Sequence, residues 1–264
     1  MQPDRVTHSS IGSKVKHFRI RGGLSQLDLE LATSAAQGSI SRIESGKVNP
    51  TKETLEKIAD ILDLSSFELD YLWGTIDEPI TEEEAKKARK YLQDYYTKVT
   101  TLSYLVDERS RLWYASKGFL KLLGVKESEL GSIYGTSLLK LLLHPSFNYI
   151  QKIDEKNREE VLRNLLPRTY NEMSFLVGDT YYLDALEAIQ GNELARRIWE
   201  EVTKGPAKQL HAIESRRVVF KIGKLSISLT YSAEPLNFNR RFRVVEYAIS
   251  KKYGKQYREE NQVF

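Results

Sequence analysis

The chain has 264 residues, 41% hydrophobic and 29% charged, with a formal charge of +4 and no cysteine. That length suggests two domains with real cores, and the lack of cysteine excludes disulfides, thiolate metal sites and cysteine nucleophiles. No apolar run reaches spanning length and the N-terminus is not signal-like, so a cytoplasmic location without membrane contact is expected, while the mild charge permits nucleic-acid binding without arguing for it.

A first helix is predicted over Ile11 to Arg21, with Val15, Phe18 and Ile20 roughly helix-spaced and Gly22-Gly23 ending it. Ser25 and Asp28 read as a capping box opening a second helix that carries Leu27, Leu29 and Leu31. A third is expected to start near Ala36 or Gln37 and run to Ser45, with Ile40 and Ile43 inward and Gly46 as its left-handed stop. Thr51 caps a fourth, with Leu55, Ile58, Ile61 and Leu62 on one face. Ser65 and Glu68 open a short fifth that runs through Leu72. Two short helices joined by a tight turn at 23–50 have the layout of a helix-turn-helix, which presents its second helix to the DNA major groove.

The segments LSQ at 24–26, SISRIESGK at 39–47 and NPTKETLEKIADIL at 49–62 resemble the Cro-repressor or XRE family of helix-turn-helix regulators. The resemblance covers the first quarter of the chain. It implies that Gln26 holds a phosphate and that Gln37, Ser39 and Arg42 project from helix three toward base edges. Gln can pair bidentately with adenine and Arg with guanine. Lys47 and Asn49 would contact phosphates, fixing register without reading sequence. Arg19 and Glu44 stand where such domains often form an internal ion pair. Gly38 lacks a side chain and would permit close backbone approach. The sequence departs from the family pattern at Glu30, where Ala is common, at Ser34, where Gly is common, and at Ala36, where Ser or Thr often caps helix three. The last departure implies a weaker cap. Lys14, Lys16, Arg19, Arg21, Arg42, Lys47 and Lys52 are expected near the DNA face, with acids dominating 53–70 on the far side.

Gly74 to Ile80 reads as a hinge. Thr81 and Glu84 then cap a charged helix to about Lys98, with Leu92, Tyr95, Tyr96 and Val99 as a partial apolar stripe. Two readings stand open: a linker helix resting on the second domain, or a signalling helix at a dimer seam. The domain plan is therefore 1–73 for the DNA-binding domain, 74–100 for hinge and linker helix, and 101–264 for the second domain.

Leu102 to Asp107 and Arg111 to Ala115 read as strands around a charged turn, followed by helical SKGFLKLLG stopped at Gly124. Arg217 to Tyr231 has a hairpin pattern with a Gly223-Lys224 turn, so Ile222 should pair with Leu225. Arg241 to Ile249 supplies another strand. These give an antiparallel sheet with one buried face. Residues 149–208 form a helical insertion, with Leu162, Leu165, Leu166, Leu183, Leu186, Ile189, Ile198, Trp199 and Val202 packing. The fold class is α+β: a five-helix N-terminal domain, a linker helix and an antiparallel sheet domain with a large helical insertion.

The hairpin leading into an LLG step is similar to the opening of PAS sensor domains, and the layout resembles the PAS-like, MmyB-type ligand-binding domain attached to some XRE regulators. That resemblance implies a cavity between sheet and helices, in some such regulators holding an apolar, lipid-like ligand. Phe119, Leu123, Leu142 and Phe175 from helices and Phe220, Ile222, Leu225, Ile227 and Leu229 from the sheet are its candidate lining. The same side chains would equally serve as ordinary core. A fatty-acid-like ligand would want an Arg or a Tyr hydroxyl for its carboxylate, and the sequence does not choose which.

His8, His17, His144 and His211 are isolated, which gives no metal-ligand spacing, and no Gly-rich phosphate loop or nucleophile constellation points to an enzyme. The expectation is a transcription regulator whose PAS-like domain senses a small ligand or mediates dimerisation, and which binds double-stranded operator DNA as a homodimer, because one short recognition helix reads only a few base pairs. The rival is a protein-interaction adaptor acting through the C-terminal domain, with weak DNA binding.

Overall fold

The computed structural model describes residues 10–99, 101–176, 178–204, 217–222 and 225–249. The chain divides into two compact units, residues 1–79 and 80–264. Among the described residues no helix is long and apolar enough to cross a membrane.

The first unit is helical: α1 (Ile11–Arg21), α2 (Gln26–Thr33), α3 (Ser39–Glu44), α4 (Lys52–Ile61) and α5 (Ser66–Trp73). Local chemistry sets the boundaries. Ser25 Oγ accepts from the Asp28 N–H, and Asp28 Oδ2 accepts from the Ser25 N–H at 2.8 Å. Ser65 and Glu68 repeat that exchange at α5, so each box satisfies two otherwise orphaned donors. Val15, Phe18, Leu29, Ile40, Ile43, Leu55, Ile58 and Leu72 make the core. Four expected apolar-face residues are not in it: Ile20, Leu27, Leu31 and Ile61 are exposed. Leu27 and Leu31 lie one turn apart, on the flank opposite Leu29.

α1 crosses the C-terminal end of α3 at Gly12. A Cβ there would lie 2.2 Å from the Ile43 carbonyl oxygen and 2.9 Å from that of Glu44. Glycine is needed for backbone-on-backbone approach at this crossing.

The second unit begins with α6 (Glu82–Lys98), followed by β1 (Leu102–Asp107), β2 (Leu112–Ala115), α7 (Lys117–Leu123), a 3₁₀ turn at Glu127–Ile133 and α8 (Leu138–Leu143). A second 3₁₀ turn at Tyr149–Lys152 precedes α9 (Glu155–Met173), α10 (Thr180–Gln190) and α11 (Glu193–Lys204), then β3 (Arg217–Ile222), β4 (Leu225–Leu236) and β5 (Asn239–Ile249). The last residues of the expected insertion, 205–208, lie outside the described residues. The strands form one antiparallel sheet in the order β2-β1-β5-β4-β3. β3 and β4 pair with Ile222 opposite Leu225, the register a two-residue turn demands.

Both faces of this sheet are covered, not one. Tyr104, Val106, Leu112, Tyr231 and Val245 pack against α7 to α11. On the reverse, Leu105, Trp113, Leu236, Phe242 and Val244 pack against Ala85, Ala88, Leu92 and Tyr96 of α6. Alternation along β1 therefore puts apolar side chains on both sides, which reads as a continuous apolar run. α6 rests on the sheet as structural cover. Within the insertion, Leu162, Leu166, Ile189, Ile198 and Trp199 are buried, whereas Leu183 is exposed.

The expected charged turn between β1 and β2 is also buried, from Asp107 through Arg111. Asp107 accepts from the Arg109 and Arg111 N–H groups, from Arg111 Nε at 2.6 Å and from the Trp113 indole at 2.8 Å. Arg111 also donates to the Ile80 carbonyl at 2.9 Å, and Arg109 bridges Glu108 and Asp179, the N-cap of α10. Burial here is tolerated because each carboxylate and guanidinium finds a partner.

Candidate nucleic-acid interface

α2 and α3 are joined by a tight turn at 34–38. Ser34 adopts the left-handed conformation, φ 55°, at the position where the family pattern often has Gly. α3 starts at Ser39, two or three residues later than the sequence suggested. The reason is Gly38, whose φ of 73° is left-handed and cannot continue a helix. A Cβ on Gly38 would meet nothing within 4 Å, so this glycine serves its own backbone angle and not a close approach within the unit.

The junction of α1, α2 and α3 is held by one carboxylate. Glu44 accepts from Arg19 Nε at 2.6 Å on one oxygen, and from Arg19 Nη2 at 3.0 Å and Gln26 Nε2 at 2.7 Å on the other. Arg19 Nη1 donates to the Leu24 carbonyl at 2.7 Å. Burial pushes the Glu44 carboxyl up, but the bonds from Arg19 and Gln26 outweigh it and hold the group below the ordinary carboxylate range. The bond to Glu44 raises the Arg19 guanidinium against the cost of burial. Gln26 uses one amide hydrogen on Glu44 and keeps the other, with its carbonyl, for an outside partner. The expected internal ion pair is thus present, and Gln26 is oriented by it.

The predicted contact residues separate into two groups. Arg42, Lys47, Asn49 and Gln37 are exposed. Arg42 and Lys47 have no side-chain partner among the described residues. Gln37 stands in the turn ahead of α3, not on the helix. Ser39 differs: its hydroxyl is buried and unpaired among the described residues, so it is not presented outward. Ser41 and Ser45 of α3 are exposed instead.

Of the seven cations expected on this face, Lys14 and Arg19 are buried, and Arg21 is exposed but engaged within the unit. Lys14 is buried, donates to the Tyr71 carbonyl at 2.8 Å and to Asp77 at 2.6 Å, and lies 4.4 Å from the Tyr71 ring centre. Arg19 is bound to Glu44, and Arg21 pairs with Glu68 while covering the Phe18 ring. Lys16, Arg42, Lys47 and Lys52 remain exposed. Sequence reasoning also missed Glu30. Its Oε1 accepts from the buried Ile40 N–H at 3.1 Å. The signal was an acid at a position where the family pattern has Ala.

In the second unit, a cavity of about 60 Å³ lies between the sheet and α7 to α9. Phe119, Leu123 and Leu142 line it, with Tyr104, Tyr247 and Asn164 as its polar members. Phe175 and Leu229 are buried elsewhere. The side chains of Phe220, Ile222, Leu225 and Ile227 lie outside the described residues. Arg168 donates to the Tyr104 hydroxyl at 3.0 Å, and Arg243 pairs with Glu172 at 2.9 Å.

A helix-turn-helix family model matches residues 15–69, which takes in the α2–turn–α3 geometry and the Glu44 clamp. No curated protein matches the chain. Residues 15–69 are therefore a helix-turn-helix domain, of the DNA-binding class. Within that class it is of the XRE type.

Proposed function

We propose that the chain is a transcription regulator that reads a duplex operator through α3 as a homodimer, while its second unit senses a small apolar ligand. One observation carries the reading: Arg42 stands exposed on α3, and the Arg19–Glu44–Gln26 clamp fixes that helix against its neighbours. Arg42 pairs with guanine, Gln37 and Gln26 approach the DNA from the turn and the start of α2, and Lys47 and Asn49 take phosphates. Two half-sites about one helical turn apart supply the specificity one short helix lacks.

The test is selection of duplexes from a random pool by the intact chain and by Arg42→Ala. An inverted repeat enriched by the wild type and relaxed in the variant supports the reading. Absence of enrichment sinks it.

The five-stranded antiparallel sheet, with helices between β2 and β3 over one face, supports a PAS-like, MmyB-type reading of the second unit. The cavity is smaller than the roughly 150 Å³ that admits benzene in an engineered core. A fatty-acid-like occupant would therefore select a wider state, and could act only through its differential affinity for that state. Lipid extraction and mass spectrometry of the purified protein test this. A chain that carries no lipid and gains no stability from added fatty acids has a sealed core there.

Exposed Leu27 and Leu31 on α2 support a second reading, distinct from an adaptor acting through the C-terminal domain: a first unit that docks a protein and binds DNA weakly. Specific operator affinity that falls steeply with salt decides against it.

A further inference from the structure

Glu30 lies on α2, only 5% exposed, and among the described residues no lysine or arginine stands within ion-pair distance of it. A carboxylate is expensive to bury on those terms. Its one hydrogen bond in the described structure goes to the backbone N–H of Ile40, the second residue of α3, at 3.1 Å. Ile40 is itself fully buried, so that N–H has no water to turn to.

The start of α3 explains why an outside acceptor is needed. The N-cap is Gly38, which has no side chain and makes no cap hydrogen bond. Ala36 has no acceptor either. Among the described residues the buried Ser39 hydroxyl has no partner, and it does not cap. The Ser39 N–H closes onto the Ala36 carbonyl at 3.0 Å, and the first helical bond of α3 runs from the Arg42 N–H to the Gly38 carbonyl at 3.1 Å. The Ile40 donor falls between these two, on the turn that carries Arg42.

Two departures from the family pattern are therefore complementary. The acceptor that Ser or Thr would supply at 36 is absent, and one appears at 30, where Ala is usual. We propose that Glu30 is a positioning residue for DNA reading: it caps α3 from α2 and so fixes the direction in which Arg42 leaves the helix. A cap from Glu30 ties the frame of α3 to the body of α2, whose N-terminal Gln26 is already held through Glu44.

This inference rests on the DNA-reading proposal, and the test separates the two. The full chain, Glu30→Ala and Glu30→Gln are compared by amide exchange at Ile40. They are also compared by the ratio of affinities for the selected operator and a scrambled duplex at one salt concentration. Glu30→Ala should speed Ile40 exchange and lower the ratio about ten-fold, the size of a lost N-cap. Binding to scrambled DNA and its salt slope should not change, a pattern that general destabilisation would not produce. Glu30→Gln, whose amide oxygen keeps an acceptor for the Ile40 N–H, should retain both readouts, and it serves as the test if Glu30→Ala does not fold; loss of both in Glu30→Gln would overturn the capping role. An operator-selecting wild type whose ratio is unchanged in Glu30→Ala overturns this proposal alone, as does an Ile40 amide whose exchange does not respond. A wild type that selects no sequence overturns the DNA reading and this proposal with it.

Discussion

Arg19 and Glu44 meet at two points, Nε to one carboxylate oxygen at 2.6 Å and Nη2 to the other at 3.0 Å. The pair joins the end of α1 to the end of α3, and both side chains are nearly buried. A fork-to-fork pair of this kind fixes orientation as well as distance. Glu44→Ala leaves the Arg19 guanidinium buried without its carboxylate and releases Gln26. The expected cost is about 3 kcal/mol, from the behaviour of buried pairs broken on one side. Thermal unfolding of the variant measures it.

The same pair gives the first unit an acid-sensitive element. The Glu44 carboxyl titrates lower folded than unfolded, so protons favour the unfolded chain. Its contribution is complete above the ordinary carboxylate value of 4.5 and is lost as pH falls through the depressed folded value. Glu44→Gln should flatten that part of the stability curve. Urea titrations between pH 6 and pH 3, followed at a probe in the first unit, would reveal an unaltered curve if Glu44 has no such role.

Lys47 and Arg42 should fail differently. Lys47→Ala is expected to weaken binding about equally for all duplexes and to reduce the salt slope by about one ion. Arg42→Ala should cost about 1–3 kcal/mol for the chosen operator and relax selection at one position of each half-site. Titrations at several salt concentrations distinguish them.

Gly12→Ala tests the α1–α3 crossing. The added Cβ would stand 2.2 Å from a backbone carbonyl oxygen, so the helices must separate. Overpacking of this kind costs about 1–3 kcal/mol. Since the displaced element is α3, operator affinity should fall along with melting temperature. Full affinity in a destabilised variant would show that α3 holds its place without the crossing.

In the second unit, Asp107→Ala removes the acceptor for two backbone N–H groups, the Arg111 guanidinium and the Trp113 indole. A loss of about 3 kcal/mol or more is expected. Near-ultraviolet dichroism should report the freed Trp113. An unchanged melting profile would mean the turn tolerates solvent.

What was legible in the sequence was mostly local. Ser25 with Asp28, Ser65 with Glu68 and Thr81 with Glu84 announced three helix starts, because a capping box is complete within four residues. The Ile222–Leu225 pairing followed from turn length alone. The misplacements share a different cause. Gln37 left α3 because of a backbone angle at Gly38, and a glycine allows that angle without announcing it. Lys14 and Arg21 read as DNA-facing cations, yet their partners Asp77 and Glu68 are 63 and 47 residues away. The DERSR turn reads as charged, and it can be buried because its own Asp107–Arg111 and Glu108–Arg109 pairs are joined by Asp179, by Arg241 of β5 and by the Ile80 carbonyl. Charge in a sequence says that a partner is needed, and only the fold says whether that partner is water.

The placement of α6 matters for anyone who would take the chain apart. A fragment cut at residue 101, the boundary the sequence suggested, would strip the cover from Leu105, Trp113, Phe242 and Val244 and remove the carbonyl that Arg111 holds. Such a fragment presents a wet apolar strand surface and invites aggregation. Starting at Ile80 keeps the lid with its sheet, so the portable second unit is longer at its front than the hinge-and-helix plan implies.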